Sequence, residues 1–253
     1  MQRSKPTGSW QQVTPWYNKL VGNDGHYYHQ HVVLPGVLRL LQLQPEHSLV
    51  DLGCGQGILA RQIPPIAEYL GLDVASSLIA EAQQGQLPAT YTFKTANVAR
   101  PLQPAEPRFT HAAIVLALQN MESAQVALQN AANFLVPGGT LVLVLNHPCF
   151  RIPRQSGWGS DEKTKQQYRW INRYLSPLKI PITMNPGQQQ SAVTWSFHHS
   201  LQDYSQMLQE AGFVITKLEE WTSDKQSEGA AAKQENRARS EFPLFMAIKA
   251  LIH

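Results

Sequence analysis

Charged residues are scarce in this 253-residue chain: Asp, Glu, Lys and Arg make up 15% of it, and the formal net charge is only +3. That balance is too mild to imply electrostatic capture of a nucleic-acid backbone, which needs a strongly basic face. Cysteine is nearly missing, with Cys54 and Cys149 alone. Two such residues give no disulfide framework and fit a reducing, cytoplasmic compartment. Long apolar runs are missing as well. The longest, Ala112 to Leu118, falls far short of the roughly 20 residues a membrane span needs. Met1 to Trp10 is polar and lacks the apolar core of a signal peptide. No Cys or carboxylate stands at ligand spacing beside His198-His199, so no metal is expected and the pair reads as a partly exposed helix entry.

What is present fits one domain over 1–253, long enough to bury a full core. Strands alternate with helical stretches, the pattern of a parallel sheet covered on both faces. The densest signal is Leu49-Val50-Asp51-Leu52-Gly53-Cys54-Gly55-Gln56-Gly57. An apolar strand ends in a glycine turn that feeds a helix, Ile58 to Ile63, stopped by Pro64-Pro65. The glycines let ligand atoms approach the backbone. A dinucleotide fingerprint would require glycine at position 58, which holds Ile58. Asp51 would also repel a pyrophosphate. An acidic residue here suits a ligand that is cationic at that end, and S-adenosylmethionine (SAM), with its ammonium and sulfonium, is such a ligand.

The stretch resembles motif I of the class I SAM-dependent methyltransferases, hydrophobic-hydrophobic-acidic-hydrophobic-Gly-x-Gly-x-Gly, without gap or substitution. The resemblance implies cofactor contacts at Asp51, Gly53, Cys54, Gly55 and Gly57. Tyr69-Leu70-Gly71-Leu72-Asp73-Val74 is similar to motif II, 22 residues from Asp51 to Asp73. Asp73 would then accept from two ribose hydroxyls, with Val74 against the adenine; read alone, Asp73 is a turn aspartate before Ala75-Ser76-Ser77. Phe93 to Val98 looks like strand three, its Asn97 and Val98 meeting the adenine. Ala112 to Leu118 is strand four, with Leu116 among the cofactor contacts. Gln119-Asn120-Met121 follows where nucleic-acid amino-methyltransferases carry Asp/Asn-Pro-Pro-aromatic, and that run is absent. The implied fold is α/β: a seven-stranded, mostly parallel sheet of order 3-2-1-4-5-7-6 with helices on both faces. An N-terminal helical lid (1–45) precedes a SAM-binding core (46–146), an insert after strand five (147–199) and a C-terminal helix with strands six and seven (200–253).

Several elements follow from pattern. Ala127, Ala131 and Leu135 share one face of a helix beginning near Ser123 and ending at Pro137-Gly138-Gly139. Strand five then runs from Thr140 to Asn146. A helix covers Leu201 to Ala211, strand six Phe213 to Leu218, and strand seven Leu244 to Ala250. Ser223 to Arg239, polar and charge-rich, reads as a mobile loop without assigned function.

Specificity is expected outside this skeleton. Aromatics and histidines cluster between Pro15 and His31, ahead of an apolar helix from Val32 to Leu43. Tyr17, Tyr28 and His31 are candidates for lining a lid over the cofactor; equally, the rings plug the sheet edge. The insert interleaves Phe150, Trp158 and Trp195 with Arg151 and other arginines. A long segment of weak periodicity reads as a binding loop, and aromatic walls with arginine suit a flat or apolar substrate bearing a carboxylate or phosphate. Gln119, Phe150, Arg151, Trp158 and Trp195, with Tyr17, are the substrate-side candidates. The same residues would also suit a homodimer contact, and an RNA surface ranks behind both. His147, at the end of strand five, is the candidate general base, or else it anchors the chain's exit through Pro148.

Three functions remain: transfer of a methyl group to a small-molecule acceptor, transfer to RNA or protein, and SAM binding without catalysis. The first is favoured.

Overall fold

The computed structural model describes residues 22, 25–103, 106, 108–183 and 193–253. At its centre are five parallel strands: β1 (Ser48–Leu52), β2 (Glu68–Asp73), β3 (Tyr91–Thr95), β4 (Phe109–Val115) and β5 (Leu135–Asn146). β10 (Phe213–Trp221) and β11 (Phe245–Ile252) extend the sheet, and β11 is antiparallel to both of its neighbours. The order is β3-β2-β1-β4-β5-β11-β10. The expected sixth and seventh strands are therefore the tenth and eleventh of the chain, because two hairpins come first.

The central strands carry near-continuous apolar runs because both faces are covered; β1 is buried at every position, while edge strand β3 alternates. Successive side chains point to opposite faces. Val50 and Leu52 join a core with α4 (Ala124–Phe134) and α5 (Leu201–Glu210). Leu49 joins the other, with α1 (Leu34–Leu41), α2 (Ile58–Gln62) and α3 (Ser76–Gln83). α2 stops because Ile63 precedes a proline and is extended. α5 starts on a capping box: the Ser200 hydroxyl accepts from the Asp203 N–H, and the Asp203 carboxylate accepts from the Ser200 N–H.

Four expectations change. The first helix is not uniform from Val32 to Leu43: it opens as a π-turn, His29–Val33, and ends at Leu41, where Gln42 takes a left-handed φ of 52°. α4 ends at Phe134 rather than at Pro137, because Leu135 already pairs with Phe109. The insert is two antiparallel hairpins instead of an irregular loop, β6 (Ser156–Asp161) with β7 (Gln166–Ile171) and β8 (Leu178–Thr183) with β9 (Val193–His198). In β9 the buried positions are Thr194, Ser196 and His198, so its alternation runs against hydropathy. His198 is thus a buried strand residue, its Nε2 2.7 Å from the Tyr174 carbonyl, and not an exposed helix entry. Finally, the second half of the 223–239 stretch belongs to a helix, α6 (Ala232–Glu241), whose one buried residue is Ala238. Among the described residues no helix is long and apolar enough to cross a membrane.

Candidate active site

The C-terminal ends of β1, β2, β4 and β5 open onto one cavity of about 580 Å³, the place where open α/β sheets bind ligands. Its floor is the turn after β1. Gly53 and Cys54 both donate their N–H to the Leu72 carbonyl (2.7 and 3.0 Å), pinning the turn to β2. Gly53 has φ +87°, and a Cβ there would lie 2.6 Å from the Ala117 Cβ. Gly57, at φ +79°, leaves a Cβ only 3.1–3.2 Å from Phe93 and Ala82. These two glycines are therefore required by the chain's own packing as much as by any ligand.

Asp73 clamps the next loop. One carboxylate oxygen accepts from the Gly55 N–H at 2.9 Å, the other from the Ala75 N–H at 2.8 Å. Burial raises its pKa, and those backbone hydrogen bonds pull the other way. A carboxylate offers about four lone-pair directions, so two remain for a ligand in the cavity that Asp73 lines. Asp51 lies below, 2% exposed, accepting from the Tyr69 hydroxyl at 2.8 Å. Burial pushes its pKa up to about 7, with the nearby Asp73 charge adding to the rise and the Tyr69 hydrogen bond opposing it.

At the end of β4, Leu116 takes a left-handed φ of 53°, a conformation costly for a branched side chain. Its N–H donates to the Val144 carbonyl at 2.8 Å, and its own carbonyl accepts from the side-chain amides of Gln119 (2.8 Å) and Asn120 (3.3 Å). Gln119 Oε1 is buried without a partner. Asn97 Oδ1 accepts from the Ala99 N–H at 3.0 Å, leaving its amide group for a ligand.

The opposite wall comes from the N-terminal turn, the segment after β5 and β11. Tyr28 packs edge-on to Phe245 of β11 (centroids 6.0 Å apart), and the Arg151 guanidinium lies over the same Phe245 ring at 5.3 Å. His26 and His29 complete this side, their rings 4.2 Å apart. The turn is held by residues following β10: Tyr28 Oη meets Ser223 Oγ at 3.2 Å, Tyr27 donates to Asp224 at 3.0 Å, and Lys225 Nζ sits over both tyrosine rings.

The wall can be tested against a nucleoside-bearing ligand. It offers a carboxylate with spare lone pairs, apolar faces at Val74, Leu78, Val98 and Leu116, and an unpartnered amide oxygen at Gln119. These fit a ribose, a flat base and a polar tail. Residues 50–141 match a family described as a methyltransferase domain. Over that stretch the chain is similar to methyltransferase domains. The solved structures agree in fold. A SAM-dependent methyltransferase from Mesorhizobium loti is 24% identical, with TM-score 0.67, covering 87% of this chain and 98% of that one. One from Listeria monocytogenes is 19% identical, with TM-score 0.68 and the same coverages. A Haloferax volcanii methyltransferase complex with the Trm112 activator is 15% identical, with TM-score 0.67, covering 97% and 98%. No curated protein matches in sequence.

The cavity brings together Gly53, Gly55, Asp73, Val74, Asn97 and Val98, and with them Leu116, Gln119, Tyr28 and Arg151. It does not bring in the rest. Asp51 is beneath the loop, so its expected contact with a cationic group is not what the geometry presents; Cys54 and Gly57 face the core clusters. His31 stacks on Tyr27 at 4.3 Å, its Nδ1 3.9 Å from Asp224, outside the wall. Phe150 and Trp158 pack against Phe242 (5.6 and 5.4 Å) and Trp195 lies under Lys179. Tyr17 falls outside the described residues.

His147 is also corrected. It is 1% exposed, its Nε2 2.7 Å from Glu220, while its Nδ1 accepts from the Cys149 N–H at 3.2 Å. Burial lowers its pKa, against the pull of Glu220. Both nitrogens are engaged and the ring is off the cavity wall, so it anchors the exit from β5 and has no free nitrogen for a substrate proton. What sequence reasoning missed is on the wall instead: His26, His29, Asn146 and Phe245. The histidine-rich 26–31 run was visible, but which of its rings face inward depends on the π-turn. Among the described residues no group of His, Cys, Asp and Glu could hold a metal ion.

Proposed function

We propose that this chain transfers the methyl group of SAM to a small-molecule acceptor. The observation that carries this reading is the shape of the cavity: a single space of about 580 Å³ runs from the Asp73 side to the Arg151–Phe245 side and is roofed by Tyr28. That volume is of small-ligand size, and its walls are drawn from both ends of the chain.

In this reading the cofactor half uses the spare lone pairs of Asp73 for the ribose, Val74 and Val98 against the base, the Asn97 amide for a ring nitrogen, and the Gly53–Gly55 backbone for the amino-acid tail. When bound, SAM supplies an activated methyl group on a sulfonium, and the acceptor's nucleophile displaces it in line. The protein's part is to align and to exclude water, and alignment of this kind supplies up to roughly 7–11 kcal/mol. Arg151, at the rim over Phe245, holds a carboxylate or phosphate of the acceptor, and Phe245 with Tyr28 bounds its apolar body. The low charge of the chain supports this over an RNA acceptor.

The test is to incubate the protein with methyl-labelled SAM and fractionated cell extract. Label in a compound of low mass is the expected result; label recovered only in RNA or protein would refute the small-molecule reading, and a failure to bind S-adenosylhomocysteine would refute transfer altogether.

A further inference from the structure

We propose that His29 accepts the proton of the methyl acceptor through Nε2, so that the acceptor is a protic nucleophile, an O–H or N–H compound. This rests on the methyl-transfer reading above and adds to it the atom that receives the proton.

Most of the titratable groups on the cavity wall are already engaged. Asp73 is committed to two backbone N–H groups. Glu122 is paired with Lys179 at 2.8 Å, which holds its pKa below the ordinary range. His26 Nδ1 accepts from the Tyr28 N–H at 3.2 Å. His29 differs. Its Nδ1 is sealed from solvent and has no hydrogen-bond partner, although the ring lines the cavity. The nitrogen left to meet a ligand is Nε2.

The local chain fixes that orientation. Gly25, at φ +90°, lies so close that a Cβ there would come within 2.5 Å of the His29 Cβ and 3.7 Å of its Nδ1. The turn is closed by the His29 N–H on the His26 carbonyl at 2.8 Å, and the Gln30 side chain holds the Gly25 carbonyl at 2.8 Å. The residue then opens a π-turn, a feature often found at functional positions. Burial, helped by the neighbouring His26, lowers the His29 pKa to about 4, so the ring is neutral and able to accept a proton at physiological pH.

A weak base suffices here. As the C–S bond breaks and the new C–O or C–N bond forms, the acceptor heteroatom becomes positively charged and strongly acidic. Its proton passes to His29 Nε2, and S-adenosylhomocysteine leaves neutral at sulfur. The positive charge that sat on the sulfonium reappears on the imidazole, and the net charge of the cavity is unchanged. The ring then releases the proton to water.

His26, from its own turn, is the ring against His29, and the other charged groups that line the same cavity are Arg151 after β5, Glu122 beyond β4 and Asp73 at β2, with Lys225 acting on His26. None of these changes when SAM is exchanged for S-adenosylhomocysteine; only the sulfonium charge does. The test is therefore a ¹⁵N-imidazole NMR titration of the whole chain saturated with each ligand in turn. With S-adenosylhomocysteine the His29 pKa should be higher by about one unit, the effect of a unit charge across ~10 Å at an effective dielectric near 20. His111 serves as control. It too is lowered to about 4 by burial but sits at the opposite end of the sheet, beside His47 and Lys249, and should not move. Equal behaviour of the two histidines would overturn the proposal. Failure of either ligand to bind would instead sink the methyl-transfer reading. Should the chain unfold before the titration ends, His29→Gln decides: S-adenosylhomocysteine affinity within about twofold of wild type, with labelled-methyl transfer to extract compounds down 10²-fold or more. Undiminished transfer, or lost ligand affinity, would overturn it.

Discussion

Replacing Asp73 by alanine should separate the cofactor half of the cavity from everything else. In the free protein the carboxylate joins the loops after β1 and β2 through the Gly55 and Ala75 N–H groups. Each is a hydrogen bond to a charged group of about 1.5–3 kcal/mol, and Ala75 N–H is left buried once it goes. Asp73→Ala should thus lose about 2–4 kcal/mol of stability, or some 5–15 °C in Tm for a domain of this size. The binding loss is separate. Two ribose hydroxyls on the remaining lone pairs contribute at least about 3 kcal/mol together, roughly 150-fold in affinity. Differential scanning fluorimetry with S-adenosylhomocysteine reads both. At a hundred times the wild-type Kd, mass action gives the wild type about 2.7 kcal/mol, an upshift of some 5–10 °C. At that same concentration the variant, measured against its own lower baseline, should rise by about 1 °C. A variant that starts lower yet shows the full wild-type upshift would mean that Asp73 is only a loop clamp, and the cofactor placement would be wrong.

Two further outcomes follow from the same geometry. His147→Ala removes the buried contact with Glu220 and an acceptor for the Cys149 N–H, so Tm should fall by an amount matching about 2–4 kcal/mol while S-adenosylhomocysteine affinity in the folded protein stays unchanged; a 10²-fold loss of transfer at wild-type Tm would restore His147 as a base. Asp51 keeps its proton in the folded chain until about pH 7 but loses it near 4 when unfolded, so it costs stability as pH rises across that window. His29 and His111, folded pKa values about 4 against an ordinary 6.5, lose stability as pH falls through the same range. Asp51→Asn should therefore coincide with wild type near pH 4, exceed it by about 2–4 kcal/mol at pH 8, and show the steeper decline on acidification. Melting curves across pH 4–8 check this, and parallel profiles would refute it.

The strands of the parallel sheet were legible as apolar runs, whereas their order followed from the family resemblance. Val50 and Tyr69 sit in runs buried on both faces, and Gly53 and Gly57 announce the turn by conformations other residues avoid. Asp73 was placed by its register after that turn. The insert was not legible, because β9 turns its polar side chains inward and β7 leaves Tyr168 and Trp170 half exposed, so hydropathy pointed the wrong way. The residues chosen from the insert for their rings, Trp158 and Trp195, pack on Phe242 and beneath Lys179. Histidines were judged by neighbours in sequence, whereas inward or outward placement depends on contacts 70 to 200 residues away: Glu220 claims His147, and Asp224 draws His31 out.

The meeting of Tyr27 and Tyr28 with Ser223, Asp224 and Lys225 sets an order of events during synthesis. The glycine turn, Asp73 and the Leu116 corner all leave the ribosome in the first half of the chain, yet Tyr28 above them waits for Ser223, 195 positions after it. β5 meanwhile lacks a partner on one edge until β11 arrives. A nascent or clipped chain ending before Phe245 would thus expose a sheet edge together with an open cofactor floor. Only once β11 and the residues after β10 have joined is the cavity walled on both sides.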